Sequence, residues 1–388
     1  MKKLCGLVLA VSLLPVALHA AEPGVTDTEI TIGSSLALEG PAAFLGQEVN
    51  RGFTALINSA NEKGGVNGRK IKLIALNDGY EPVNCVINTQ KLINENKVFM
   101  LANYVGTPTA VKAMPVWIGA KVPATGFFTG ADALRTPFNP YIINVRASYA
   151  KETEAFIDAV VKNLGVKKVA IFYQYDGFGE AVKKGAEAAL KKHGLAPVAL
   201  GSYERNTVKT EEGLEKVKAA APEVVVMAGT YSPLAKFVKD AKAQGLAKTL
   251  FYTVSFVGPE ELAKELNGNT NGLIVSQVMP PYAEKTLSVV SEYRAAMVKY
   301  FPKSPLSFGS LEGYVNGKIA LEGLKRAGKD LTRAGYIAAI ETIKERQLGT
   351  GLLFSYGAQD HEGSDNVYLT HYKNGNFLEI RNWGDLKK

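Results

Sequence analysis

The chain has 388 residues, 46% hydrophobic and 21% charged, with a formal net charge of +8 and a pI near 9.1. This composition excludes a collagen-like, coiled-coil or largely disordered protein, and the length predicts two domains. The lysines are scattered, as at Lys183, Lys184, Lys191 and Lys192, without the dense basic runs and interleaved aromatics of a nucleic-acid surface, so no nucleic acid is expected as a partner.

Residues 1–20 read as a secretory signal peptide: Lys2 and Lys3, an apolar stretch from Leu4 to Leu18, then the small residues Ala17, Ala20 and Ala21. The apolar run is shorter than the about 20 residues that span a bilayer. Cleavage after Ala20 is expected, with export of the mature chain and a formal charge lowered by two. Cys85 is then the only cysteine, so no internal disulfide is expected, and a core of this size needs none.

From Glu29 onward the pattern alternates. Glu29–Ser35 predicts a strand, and Leu45, Val49, Phe53, Leu56 and Ala60 recur at helical spacing until Gly64-Gly65. Strands at Ile71–Leu76, Val98–Ala102, Pro123–Phe127 and Tyr141–Val145 follow, with helices at Asn84–Ile93 and from Pro108. A second series has strands at Val169–Tyr173, Val198–Tyr203, Val224–Ala228, Leu250–Thr253 and Leu273–Gln277, with helices around Val182–Leu190 and from Pro233. Apolar strands alternating with helices predict an α/β fold with doubly wound parallel sheets. The last third predicts helices near 285–300, 308–327 and 332–344, then a β-rich tail. In that tail Asn374-Gly375 marks a hairpin between Leu369–Tyr372 and Phe377–Ile380.

An internal repeat points to two similar lobes. TGFFTGADAL (Thr125–Leu134) and TVSFVGPEEL (Thr253–Leu262) share Thr, Phe, Gly, an acid and Leu at matching places, each pair 128 residues apart. In open α/β sheets ligands bind beyond the carboxyl ends of the strands. Loops 104–109 and 126–130 of one lobe should therefore face loops 174–179, 230–233 and 254–258 of the other. They carry the hydroxyls of Thr107, Thr129, Tyr231 and Ser255 and the rings of Tyr104, Phe127 and Phe178. Helix starts favour an anionic group, and aromatics cover an apolar body.

No catalytic arrangement is legible. His19 leaves with the signal peptide, His193 ends a polar helix and reads as solvated, and His361 and His371 lack metal spacing. Gly313–Lys318 resembles a phosphate loop one residue short, with Ile319 in place of the hydroxyl, and Gly177-Phe-Gly179 lacks the third glycine of a dinucleotide loop. Asp360-His361 reads as a turn before the β-tail. No metal, no cofactor and no enzyme activity are expected, and the ligand is a small molecule.

The stretch ITIGSSLALEGPAAFLGQEVNRGFTALINSANEKGGVNGRKIKL resembles the opening of the leucine/isoleucine/valine-binding proteins of ABC importers. TPTAVKAMPVW, TGFFTGADALR, YDGFGEAVKKG and SLEGYVNGKIALEGLKRAG resemble later parts of the same family. The resemblance covers nearly all of the mature chain. It implies the type I periplasmic-binding-protein fold, two lobes joined by three crossovers near 146–149, 277–281 and 355–360. The lobes would comprise 21–147 plus 278–356 and 148–277 plus 357–388. It also implies a monomeric periplasmic subunit that closes on an amino acid or a related carboxylate or amide and docks on an inner-membrane permease. A sensory module of the same fold is the alternative. Residue by residue, Gly106 stands at a serine that holds the ligand carboxylate, with Thr107 beside it. Thr129 matches a second carboxylate-binding residue, and Phe127 one whose carbonyl accepts from the ligand ammonium. Phe178 and Tyr231 match aromatic lid residues. Ser255 stands where amino-acid binders place the acid that pairs with the ammonium, so that pairing would fall to Glu39, Asp176 or Glu180.

Overall fold

The computed structural model describes residues 22–284, 286–344 and 351–387. The signal-peptide reading of residues 1–20 lies outside them. The chain first builds β1 (Glu29–Leu36), α1 (Ala43–Glu62), β2 (Lys70–Asn77), α2 (Pro82–Asn94), β3 (Met100–Ala102), α3 (Thr107–Gly119), β4 (Ala124–Thr125) and β5 (Ile142–Ile143). It continues with α4 (Tyr149–Leu164), β6 (Val169–Gln174), α5 (Gly177–Lys192), β7 (Ala199–Tyr203), α6 (Glu211–Ala219), β8 (Val224–Ala228), α7 (Tyr231–Ala241), β9 (Leu250–Thr253), α8 (Pro259–Leu266) and β10 (Leu273–Gln277). Then come α9 (Ser288–Tyr300), α10 (Phe308–Ala327), α11 (Arg333–Glu341), β11 (Ser355–Gly357), β12 (Asp360–Gly363), β13 (Tyr368–Lys373) and β14 (Asn376–Glu379).

Beside the two-stranded β11-β12 sheet, two large sheets result, and they repeat one order. The first runs β2-β1-β3-β4-β5, all parallel. The second runs β7-β6-β8-β9-β10, also parallel, and ends in the antiparallel pair β13-β14. β4 and β9 thus hold equivalent places, as the sequence repeat predicts. Strands such as VVVMA in β8 and VAIFYQ in β6 are buried throughout, because helices cover both faces of the sheet. The tail hairpin forms where expected, with Asn374 and Gly375 both at positive φ.

The long helices of the last third return to the first sheet. α10 packs along α1, and their backbones touch because Gly52 faces the Ser310 carbonyl and Gly313 faces the Val49 carbonyl, where a Cβ would collide. The phosphate-loop-like glycines of Gly313–Lys318 are therefore helix-packing residues inside α10. Arg333 of α11 donates to the Phe99 and Val98 carbonyls, 2.9 Å each. The β11–β12 hairpin lies against β5, where Asn144 N donates to the His361 carbonyl at 2.8 Å. Residues 357–363 consequently sit beside the first sheet, not with the second, and the chain crosses between 363 and 368. His361 lies in β12, not in a turn. It is buried, with Nε2 3.2 Å from Glu341. His193 is paired with Asp158 at 2.6 Å, not free in solvent. Cys85 is buried on α2, and burial pushes its thiol far up, which leaves it an inert apolar side chain. Among the described residues no helix is long and apolar enough to cross a membrane, and no group of His, Cys, Asp and Glu is placed to hold a metal.

Candidate ligand-binding seam

The loops after the parallel strands of both sheets meet in one buried seam. On the first side, the chain leaving β3 turns at Gly106, whose φ is +93°. A Cβ there would strike the Tyr80 ring, so Tyr80 occupies the space that a serine side chain at 106 would need. Gly106 is the N-cap of α3, which has no side-chain cap and carries a proline in its first turn. The N–H groups of Thr107 and Thr109 have no acceptor within the helix and add their dipole to the site. Thr107 Oγ1 lies 2.6 Å from Thr129 Oγ1, and both residues are buried. Asn316 of α10 holds the two loops in register, donating at 2.9 Å to both Asn103 Oδ1 and the Gly126 carbonyl.

From the second side, Asp176 caps α5 by accepting from Phe178 N and Gly179 N, at 2.9 and 3.2 Å. This aims the Phe178 ring into the seam. Its centroid is 4.6 Å from Phe256 and 5.3 Å from Tyr149. Phe256 also meets Phe128 at 5.5 Å and Tyr80 at 6.1 Å. Phe128 and Phe256 are equivalent members of the sequence repeat, so the duplication brings matching residues face to face. Polar bridges close the rim. Gln174 Nε2 donates to Tyr80 Oη at 3.2 Å, and Asn206 and Arg205 donate to Glu81 at 2.6 and 3.0 Å. Tyr231 sets its ring edge-on to Phe44 at 5.9 Å.

An ionic cluster stands on the crossover after β5. The fully buried Arg146 guanidinium pairs with Glu152 of α4 at 3.1 Å and Glu312 of α10 at 3.4 Å, and contacts Ser255 Oγ. It also lies 5.2 Å from the Phe128 ring centroid and 5.7 Å from that of Tyr149. Glu152 accepts from Ser255 N at 2.8 Å, Ser255 Oγ at 3.1 Å and Ser276 Oγ at 2.5 Å. Burial opposes the charge on Arg146, but Glu312 and Glu152 more than offset it and hold the guanidinium above its ordinary value. Burial outweighs Arg146 at Glu312 and pushes that carboxyl up to about 7. Burial also lifts the Tyr149 hydroxyl to about 12, with Arg146 and Thr129 pulling the other way.

The structure brings Gly106, Thr107, Thr129, Phe178, Tyr231 and Ser255 to the seam. Tyr104 is a correction. Its ring packs inside the first lobe against Trp117 at 5.5 Å, and its hydroxyl bonds Thr89 Oγ1 at 2.8 Å. A residue directly after an inner strand alternates into the core as readily as into the cleft. The Phe127 ring lies in that same core, 5.6 Å from Trp117, which leaves only its backbone for the role assigned to it. Ser255 is not open, because Glu152 and Arg146 hold it. The three acids expected to replace a counter-ion are also engaged: Asp176 as a helix cap, Glu180 with Lys183 at 2.8 Å, and Glu39 with Asn77 at 3.3 Å. Sequence reasoning missed Arg146, Tyr149 and Glu152. The available signal was a charged residue inside the apolar run from Ile142 to Ala147, followed by the Ser148 N-cap and an aromatic.

The comparisons agree with this architecture. The model of the periplasmic binding protein family matches residues 29–376. A Brucella suis protein named Leu/Ile/Val-binding protein homolog 7 is 26% identical over 376 residues, covering 90% of this chain and 91% of that protein. The crystal structure of a possible leucine/isoleucine/valine-binding protein from Rhodopirellula baltica is 35% identical, with a TM-score of 0.88 over 95% of this chain and 100% of that one. A substrate-binding periplasmic protein from Ralstonia solanacearum is 29% identical with a TM-score of 0.85, over 90% of this chain and 100% of that one. With two parallel sheets of one strand order enclosing a polar, aromatic-lined seam, the chain belongs to the periplasmic binding protein family, in its type I two-lobe form.

Proposed function

We propose that the chain is the periplasmic solute-binding subunit of an ABC importer of the branched-chain-amino-acid type. It captures a small solute bearing a carboxylate or a related amide by closing two lobes, and it delivers that solute to an inner-membrane permease. The observation that carries this reading is the buried Thr107–Thr129 hydroxyl pair at the uncapped start of α3. Two hydroxyls and a helix N-terminus offer hydrogen bonds to a carboxylate without requiring a full counter-charge. The wall of Phe128, Phe178 and Phe256 suits an apolar body. The names of the Brucella and Rhodopirellula relatives support the same class of cargo. The lobes turn about the crossovers at 144–148, 278–284 and 364–367, and bridges such as Arg205–Glu81 belong to the closed form. The activity is binding, so no turnover of the solute is expected.

The test is a thermal-shift screen of the mature protein after unfolding and refolding to strip carried ligand. The panel holds leucine, isoleucine, valine, other amino acids, and their deaminated acids and amides. A ligand specific to the folded state, present at a hundred times its Kd, adds about 2.7 kcal/mol of stability. A rise in Tm with one chemical class is the expected result. A flat response across the panel overturns the reading.

A further inference from the structure

The loop between β2 and α2 belongs to the first lobe, but the side chain of its Tyr80 is gripped by the second. The backbone is set within the first lobe. Tyr80 has a φ of +64°, in the left-handed region that an aromatic residue rarely adopts. Asp78 holds it there, accepting from Tyr80 N at 2.9 Å and from Ser35 Oγ at 2.7 Å. The ring is fully buried and lies against Gly106, where a Cβ would collide with it. Across the seam, Gln174 Nε2 donates to Tyr80 Oη at 3.2 Å, and the Phe256 ring centroid lies 6.1 Å away. The Arg205 guanidinium stands 5.6 Å over the Tyr80 ring and also donates to the Tyr80 carbonyl.

The groups that receive Tyr80 are fixed by their own lobe. Tyr203 Oη donates to Gln174 Oε1 at 3.0 Å and accepts from Thr230 N at 3.3 Å. Gln174 Nε2 also donates to Asp176 at 2.6 Å. With Oε1 occupied, the Gln174 amide cannot turn over without losing Tyr203, so its donor stays aimed at the place of Tyr80 Oη. Asp176 caps α5 and lies 3.6 Å from Arg205 Nε, which steadies the guanidinium. A strained, preset residue on one lobe thus enters a preset socket on the other, an arrangement that suits a ligand clamp.

Resting on the solute-binding reading above, we propose that Tyr80 is the positioning residue that holds the closed form: it is the latch between the lobes, and Gln174 and Arg205 are its catch. Opening withdraws the ring from Gln174, Arg205 and Phe256 together and exposes it to water, whereas the partly exposed Arg205–Glu81 bridge exchanges its partners for water at little cost. Tyr80 also flanks the start of α3 and faces Phe256, so the solute and the latch share a wall. The residence time of the solute is therefore set at Tyr80 more than at the rim.

The experiment follows solute release and lobe separation in one set of variants of the mature chain. Radiolabelled leucine and 4-methylpentanoate are the probes, chased with unlabelled excess. Spin labels on Ile87→Cys and Val208→Cys, two exposed positions on opposite lobes, report the separation, and the buried Cys85 stays unlabelled. Tyr80→Ala is expected to speed release about 30-fold or more and to shift the label distances towards longer values. Tyr80→Phe keeps the ring and should speed release about 3- to 10-fold. Arg205→Lys keeps the charge but not the planar group and should do so about 5- to 20-fold. Glu81→Ala should change release by no more than about fivefold. Association rates should stay within about threefold of the unaltered protein, a split that a merely structural role would not produce. If Tyr80→Ala does not fold, Tyr80→Phe and Arg205→Lys carry the test. Release from these variants at the unaltered rate overturns the latch while the solute-binding reading stands, and so does a Glu81→Ala effect as large as that at Tyr80. If the unaltered protein holds neither probe and its label distances shorten with neither, both readings fall.

Discussion

β4 and β9 occupy equivalent places in the two sheets, yet the loops that follow them have opposite chemistry. After β4 the chain presents Thr129, a neutral hydroxyl paired with Thr107. After β9 it presents Ser255, held by the Arg146–Glu152 pair. The duplicated backbone explains why both loops reach the seam. It does not explain their chemistry, which depends on side chains supplied by other elements: Tyr80 and α3 on one side, the crossover, α4 and α10 on the other. The difference teaches that a repeat conserves position, whereas polarity is set by the neighbours that each copy acquires.

The comparison can be broken most sharply at the charged loop. Glu152→Ala leaves the buried guanidinium with Glu312 as its one counter-charge and strands Ser255 N. Removing one member of such a pair costs about 3–5 kcal/mol, which urea unfolding would register. A loss below 1 kcal/mol would show that the cluster is not a structural keystone. At the neutral loop the effect falls on binding. Thr129→Ala should weaken carboxylate affinity by about 1–3 kcal/mol by calorimetry, and unchanged affinity would remove Thr129 from the site.

A pH series sharpens the contrast, because the carboxyls that burial pushes furthest, Glu312 and Glu260, belong to the charged side. Glu312 and Glu260 are each pushed up to about 7 by burial, so the folded protein holds their protons more tightly than the unfolded chain does. Stability from these groups is therefore complete below about pH 4.5 and declines as pH rises to about 7, with a slope of at most about 1.4 kcal/mol per pH unit for each group. Glu312→Gln should flatten its share of that slope in chemical denaturation, and an unaltered slope would exclude Glu312 as its source. The smallest effect belongs to the rim. Arg205 and Glu81 are partly exposed, so Glu81→Ala should weaken the closed form by only about 0.2–1 kcal/mol, and less at high salt. Small-angle scattering with and without ligand would detect the shift towards a more open form.

Much of the fold was legible. Strands such as Val224–Ala228 are continuous apolar runs, Gly64-Gly65 stops α1 after its periodic face, and Asn374-Gly375 marks its hairpin, because each signal is local. α4, α6 and α8 were not anticipated, although α4 carries Phe156, Ile157, Val160, Val161 and Leu164 at the same three- and four-residue steps as α1. The hydroxyl half of the site was legible for a similar reason: Thr107 and Thr129 follow strand ends, where a parallel sheet places its ligands. Tyr104 follows a strand end too and points into the core, because the side a residue takes depends on the packing of Trp117 and Thr89 beneath it.

The amino-acid sequence by itself determined the two α/β units, their common order and the loops that converge. These follow from hydrophobic period and turn residues, which act over a few positions. Only the tertiary structure decided which charges face the seam. Ser255 and Glu312 lie far along the chain from Arg146 and Glu152, and no local pattern links these three segments. Their meeting follows from burial: a charge removed from water must find its partner wherever the fold supplies one.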